Sequence, residues 1–200
     1  PVRPHIFTES EISRLLRVAA TLRPRSDTPL CAEVFRLAIV LLYTAGLRRG
    51  ELLRLVIADY DPVERTLLIR ASKFHKSRLI ALSNDAASEM DLYLRSRRRL
   101  PHASSAPLLV NRWGGLRAYS GTSFGRSLHR LFFRADIRTV EGRAPRVHDL
   151  RHTFALPSPH GAPTQPSWLG SKHSESVPWL CGVASSLNRA RTRLSDAHST

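Results

Sequence analysis

The chain has 200 residues, of which 42% are hydrophobic, a composition that favours a globular domain over a wholly disordered chain. No run of 18 apolar residues occurs, which argues against a helical membrane span. Lys and Arg number 31 against 16 Asp and Glu, and the resulting formal net charge of +15 favours a nucleic-acid partner. Cys31 and Cys181 indicate neither a metal ligand pair nor a disulfide framework, so we expect a reducing, cytoplasmic setting.

The first third of the chain predicts three helices. "FTESEISRLLRVAATL" begins with Thr8 and Glu11 at capping-box spacing, and apolar residues then recur on one helical face. "CAEVFRLAIVLLYTAG" predicts a largely buried helix that ends at Gly46. "LRRGELLRL" predicts a sharp turn into a short helix.

The middle of the chain predicts a β-hairpin followed by helices. Two β-prone runs, Thr66 to Ala71 and Arg78 to Leu82, flank the basic loop "SKFHKS". A helix is expected after the N-cap candidates Ser83 or Asn84, and its arginine-rich end, "RSRRRL" (95–100), is expected to be solvated or to contact a DNA backbone. "PLLVNRWGG" favours a short strand and a turn. "SGTSFGRSLHRLFFRADI" and "RVHDLRHTFA" favour two more helices.

The amino-acid composition changes after Ala155. Residues 156–200 contain five prolines and many serines, and they contain no Ile, Phe, Tyr or Met. We therefore divide the chain into a folded domain, residues 5–155, and an irregular or disordered tail, residues 156–200. The abrupt change inside a helical pattern suggests a frameshift near Ala155, and translation of the parent DNA in the other two frames tests this hypothesis.

The stretch "HDLRH" (148–152) carries the most informative cluster of polar residues. Helical spacing places His148 beside Arg151 and beside His152. The stretch is also close to the zinc-binding pattern H-E-x-x-H, but Asp149 replaces the glutamate and no convincing third ligand follows, so we predict no metal and no cofactor. Alone, an H-x-x-R pair is weak evidence, because a polar start of a helix explains it equally well.

Three motifs in this order resemble the catalytic domain of the tyrosine recombinase (phage integrase) family. They are "AGLRRGEL" with Arg48, "SKFHKSR" with Lys73, and "HDLRH" with His148 and Arg151. The resemblance covers about residues 5–155. It implies an α+β fold that is mainly helical with a small antiparallel hairpin, and an activity in which a DNA phosphodiester is transferred to a tyrosine without metal.

The resemblance also implies a role for each matching residue. Arg48 and Arg151 would hold the phosphate oxygens with paired hydrogen bonds, and Lys73 would protonate the departing 5′ oxygen. His148 would handle the proton of the nucleophile, and Glu51 would orient Arg48. We further expect DNA-backbone contacts from four basic residues outside this set: Lys76, Arg78, Arg126 and Arg130.

The nucleophile that the family requires after "HDLRH" is missing from this chain. Its tyrosines stand at positions 43, 60, 93 and 119, all before His148. His173 in "WLGSKH" has the wrong spacing for the family's next motif. We therefore expect an inactive domain, with apolar surface left uncovered around Leu131 and Phe132. Since the chain opens at Pro1, we also expect a fragment that lacks the family's N-terminal DNA-clamping domain.

Three functions stay open at this point. The chain could be a truncated recombinase domain, a non-catalytic module that binds duplex DNA, or a basic RNA-binding protein. The expected partner is double-stranded DNA, and no membrane association is expected. Intact relatives act as tetramers on DNA, whereas we predict a monomer in solution for this chain.

Overall fold

The structure, a computed structural model, describes residues 3–70, 77–100, 103–111 and 117–155. The described residues form six α-helices: α1 (Glu9–Ala20), α2 (Cys31–Thr44), α3 (Arg49–Arg54), α4 (Asn84–Arg97), α5 (Gly121–Arg134) and α6 (Val147–Ala155). Five short strands lie between α3 and α5: β1 (Tyr60–Asp61), β2 (Thr66–Ile69), β3 (Arg78–Ala81), β4 (Val110–Asn111) and β5 (Arg117–Ala118). The mainly helical α+β fold is confirmed, while the loop 71–76 and the tail 156–200 lie outside the described residues.

Helix α2 lies at the centre of the core and packs against α1, α4 and α6. Its apolar residues cover more than one face, as the continuous apolar stretch in the sequence predicts, and nine of its fourteen residues are buried. The capping box predicted for α1 is present, since Glu11 N–H donates to Thr8 Oγ1 (3.2 Å) and Thr8 N–H donates to Glu11 Oε2 (2.8 Å).

The predicted hairpin is confirmed as β2 and β3, which pair antiparallel with Ile69 opposite Arg78. Both strands are shorter than the β-prone runs that predicted them. Strand β1 adds a third strand on the other side of β2, and β4 pairs with β5 in a second small sheet. Strands β1 and β5 have only two residues each, which is too short for an alternating pattern to indicate them.

Two expectations about solvent exposure are wrong. Leu131 is 2% exposed and Phe132 is fully buried. Phe7, in the segment before α1, covers Phe132 with a ring separation of 5.5 Å. The large apolar side chains that face solvent are instead Phe133 on α5 and Phe154 on α6. Arg97 does not belong to a solvated helix end, since only 1% of its surface is exposed.

Candidate phosphate-binding site

Three arginines from three elements converge on the buried carboxylate of Glu51, whose side chain is 2% exposed. Arg48 Nη1 donates to Glu51 Oε1 over 2.9 Å. Arg78 donates twice, from Nη1 to Oε1 (3.0 Å) and from Nη2 to Oε2 (2.9 Å). Arg151 Nη1 lies 3.9 Å from Oε2. These four residues, the Glu51 cluster, carry three positive charges and one negative charge.

Local structure explains how Arg48 and Glu51 come to face each other. Helix α2 ends at Thr44, and Gly46 then adopts a φ of +57°, a conformation that a residue with a side chain rarely adopts. The chain reverses into α3, where Arg48 is the N-cap and Arg48 N–H donates to Glu51 Oε2 (2.9 Å). The "AGLRRGEL" motif therefore encodes a tight turn and a helix cap that together fix the pair.

Helix α6 brings Arg151 to the same place. Its start is held by Asp149, which accepts a hydrogen bond from Arg146 N–H at 2.9 Å. Arg151 Nη1 donates to the carbonyl oxygen of Gly46. A Cβ at Gly46 would overlap the ring of Phe154, so the glycine allows α6 to approach the end of α2 closely.

His148 lies one helical turn before Arg151 and is exposed. Its ring meets that of His152 edge to face, with 4.6 Å between the centroids. Desolvation lowers the pKa of His148, and the nearby charges of His152 and Arg151 lower it further. The pKa of Arg151 is also lowered, first by desolvation and then by Arg48. In both groups desolvation is the largest cause of the lowered pKa, and neighbouring positive charges add to it.

Next to His148 lies a cavity of about 890 Å³, the basic cavity, between the starts of α3, α5 and α6. Four arginines and two histidines line it: Arg49, Arg126, Arg130, Arg146, His129 and His148. None of the described residues that line it is acidic. Guanidinium groups that surround an open cavity suit the binding of phosphate oxygens.

The structure brings together seven of the residues that sequence reasoning selected. Arg48, Glu51, Arg78 and Arg151 form the Glu51 cluster, whereas His148, Arg126 and Arg130 line the basic cavity beside it. Lys73 and Lys76 lie outside the described residues.

Sequence reasoning missed three residues of the basic cavity: Arg49, His129 and Arg146. Arg49 lies within the motif "AGLRRGEL", and Arg146 lies two residues before His148. These positions are the signal that could have found them. Among the described residues, no group of three His, Cys, Asp or Glu side chains could hold a metal ion. In the same part of the chain, no helix has both the length and the apolar character needed to cross a membrane.

The fold and the clustered cations define a class of protein: a mainly helical domain with a site suited to phosphate groups. The Phage integrase family model matches residues 5–157, and the chain belongs to that family. Protein y4rE of Sinorhizobium fredii (strain NBRC 101917 / NGR234), named as an integrase/recombinase, is 31% identical over 154 residues, which make up 76% of this chain and 48% of y4rE. The resemblance inferred from the three motifs is thereby confirmed.

Two solved structures share the fold. The crystal structure of XerA recombinase superposes with a TM-score of 0.60 at 24% identity, covering 78% of this chain and 50% of XerA. XerH site-specific recombinase bound to palindromic difH substrate superposes with a TM-score of 0.57 at 24% identity, covering 76% of this chain and 41% of XerH. The chain spans about half the length of the curated relatives that it matches.

Proposed function

We propose that this chain binds duplex DNA as the phosphate-holding part of a tyrosine recombinase catalytic domain. The observation that carries the proposal is the Glu51 cluster, in which Arg48 and Arg151, 103 positions apart in sequence, are held beside one carboxylate. Each guanidinium can offer paired N–H donors to one phosphodiester. The XerH relative, which was solved with its difH substrate, supports DNA as the ligand.

In the proposed arrangement, Arg48 and Arg151 hold the non-bridging oxygens of the phosphate to be cleaved. Negative charge grows on these oxygens in the transition state of phosphoryl transfer, and fixed guanidinium groups stabilise that charge. To His148, at the edge of the basic cavity, we assign contact with the same phosphate and acceptance of a proton. We assign Lys73 as the general acid from its place in the motif.

The basic cavity extends the proposed contact along the DNA backbone. Arg126 and Arg130 lie one turn apart on α5, and they share the cavity with Arg49 and Arg146. These side chains would contact the phosphates next to the one held by the Glu51 cluster. Such contacts supply affinity and orientation without reading the base sequence.

We further propose that the chain binds DNA without cleaving it. Tyr60, Tyr93 and Tyr119 are buried, and burial raises the pKa of each phenol, which disfavours the reactive phenolate. Tyr43 is half-buried within α2, and its pKa is raised as well. Incubation with nicked suicide duplexes tests this point: we expect no covalent protein–DNA adduct, and an adduct that maps to any tyrosine would contradict the proposal.

The choice of ligand is tested by fluorescence anisotropy with a short DNA duplex and an RNA hairpin of equal charge. We expect tighter binding to the duplex, with an affinity that falls steeply as salt rises. Preference for the RNA hairpin would reject a DNA function in favour of an RNA-binding one. Light scattering of the free protein is expected to give a monomer, and a stable tetramer without DNA would contradict that part.

A further inference from the structure

Arg78 is the first residue of β3, immediately after the hairpin loop, and its side chain turns towards α3 rather than to solvent. Its two hydrogen bonds to Glu51, of 3.0 Å and 2.9 Å, use both carboxylate oxygens. This bidentate geometry is the strongest arrangement available to an arginine and a carboxylate. Arg78 therefore binds Glu51 with two guanidinium N–H groups, whereas Arg48 uses one guanidinium N–H and its backbone N–H.

The same carboxylate stands close to Arg151. Only 3.9 Å separate Arg151 Nη1 from Glu51 Oε2, the oxygen that already accepts a bond from Arg78 Nη2. Arg151 Nη1 donates to the carbonyl oxygen of Gly46, and a shift of roughly 1 Å would also bring it within hydrogen-bond distance of Glu51. An N–H group of Arg151 that bonds to Glu51 can no longer bond to a phosphate. The strength of the attraction between Arg151 and Glu51 therefore decides whether Arg151 can bind phosphate.

We propose that Arg78 is a positioning residue, which occupies and neutralises Glu51 so that Arg48 and Arg151 can present their N–H groups to a phosphate. This inference rests on the proposed function and adds to it a residue that acts through Glu51. In the intact cluster the net charge is +2, and the carboxylate accepts two hydrogen bonds from Arg78 in addition to those from Arg48. Without Arg78 the net charge falls to +1, and Glu51 competes with phosphate for Arg151.

The inference is tested with inorganic phosphate as the probe, since phosphate binding can be measured without a particular DNA sequence. Phosphate is titrated into the full chain at constant ionic strength, and the arginine Nε–Hε resonances are followed by NMR. In the wild type we expect the resonances of Arg48 and Arg151 to shift. In Arg78→Met we expect phosphate to bind about tenfold more weakly, the size expected when one charge is removed at close range and partly screened.

A matched control comes from the neighbouring strand of the same sheet. Arg70 Nε donates to the buried carboxylate of Asp59 at 2.5 Å, so Arg70→Met also removes one charge and uncovers one buried acid. It leaves the Glu51 cluster intact, and we expect phosphate affinity within about twofold of the wild type. If Arg78→Met lowers the affinity no more than Arg70→Met does, the inference is wrong.

Two further variants separate positioning from loss of fold. Arg78→Lys keeps the charge but cannot make the bidentate pair, so we expect an intermediate loss. If Arg78→Met does not fold, Arg78→Lys carries the test, and unchanged affinity there would overturn the inference. In the Arg78→Met background, Glu51→Gln removes the competing carboxylate, so we expect the double variant to regain affinity, which a purely structural role of Arg78 does not predict.

The outcomes also separate the inference from the proposed function. Absence of phosphate-dependent shifts at Arg48 and Arg151 in the wild type would contradict the proposed function, and the inference would fall with it. Normal shifts in the wild type together with normal affinity in Arg78→Met would contradict only the inference.

Discussion

Glu51→Gln is the substitution that most directly probes how the site is held together. Gln keeps the shape of the side chain and removes its charge. One of its terminal atoms becomes an NH2 group, which cannot accept hydrogen bonds from the guanidiniums. The variant therefore loses some of the three hydrogen bonds that the guanidiniums of Arg48 and Arg78 donate to Glu51. It also leaves the positive charges of Arg48, Arg78 and Arg151 close together without a neighbouring negative charge.

The magnitude follows from the number of bonds and the exposure of the partners. A hydrogen bond to a charged group contributes about 1.5–3 kcal/mol. The side chains of Arg48 and Arg78 are 41% and 35% exposed, so water replaces part of what they lose. The variant also avoids the cost of burying a carboxylate, which offsets some of the loss. We therefore expect the free energy of unfolding to fall by about 2–3 kcal/mol.

Urea unfolding and thermal unfolding, both followed by circular dichroism, measure this change. For a domain of this size, a loss of 2–3 kcal/mol corresponds to a decrease in Tm of about 4–12 °C. Glu64→Gln, at an exposed position near the β1–β2 turn, is the control and should stay within about 0.5 kcal/mol of the wild type. A Glu51→Gln protein as stable as Glu64→Gln would refute the view that Glu51 organises the arginines.

Three further predictions concern helix α6 and its contact with Gly46. Gly46→Ala should lower the free energy of unfolding by about 1–3 kcal/mol, because alanine is strained at positive φ and its Cβ overlaps Phe154. Gly142→Ala is the control, because Gly142 has a φ of +74° and open space around it. It measures the backbone strain alone and should lower the free energy of unfolding by less. DNA affinity should rise as the pH falls below the ordinary histidine pKa, since protonation of His148 adds a charge at the basic cavity. His148→Gln should flatten that rise, and His152→Gln should move it to higher pH, because the charge of His152 lowers the pKa of His148. Equal pH profiles for the wild type and both variants would reject the role of His148. Because the pKa of His148 is lowered in the folded protein, its contribution to stability is present above the ordinary histidine pKa. It is lost as the pH falls from that value through the lowered pKa of the folded protein.

Local signals in the sequence predict most of the fold. The capping residues Thr8 and Ser83 and the stop at Gly46 each indicate a helix end where the structure has one, because these signals act within a few residues. The two-residue strands β1 and β5 carry no such signal. The burial of Arg97 was not foreseen either, since an arginine-rich helix end is usually solvated.

The candidate site was predictable in part, because the residues of three motifs occur in a recognisable order. Their meeting at Glu51 was not predictable from spacing, since it depends on the packing of α3 and α6 against α2 and α5 and on the pairing of β3 with β2. Arg78 illustrates the difference: in sequence it is one more basic residue near a lysine-rich loop, and only the tertiary structure shows its two bonds to Glu51.

The salt dependence of duplex DNA binding tests the central claim most directly. For the wild type, log Kd should change linearly with log salt concentration, and Arg48→Met and Arg151→Met should each weaken binding and reduce the slope by about one. Arg17→Met, at an exposed position on α1 that lines neither the Glu51 cluster nor the basic cavity, is the charge-matched control and should keep the slope. If the two site variants behave like Arg17→Met, the Glu51 cluster does not hold a DNA phosphate and the account is contradicted.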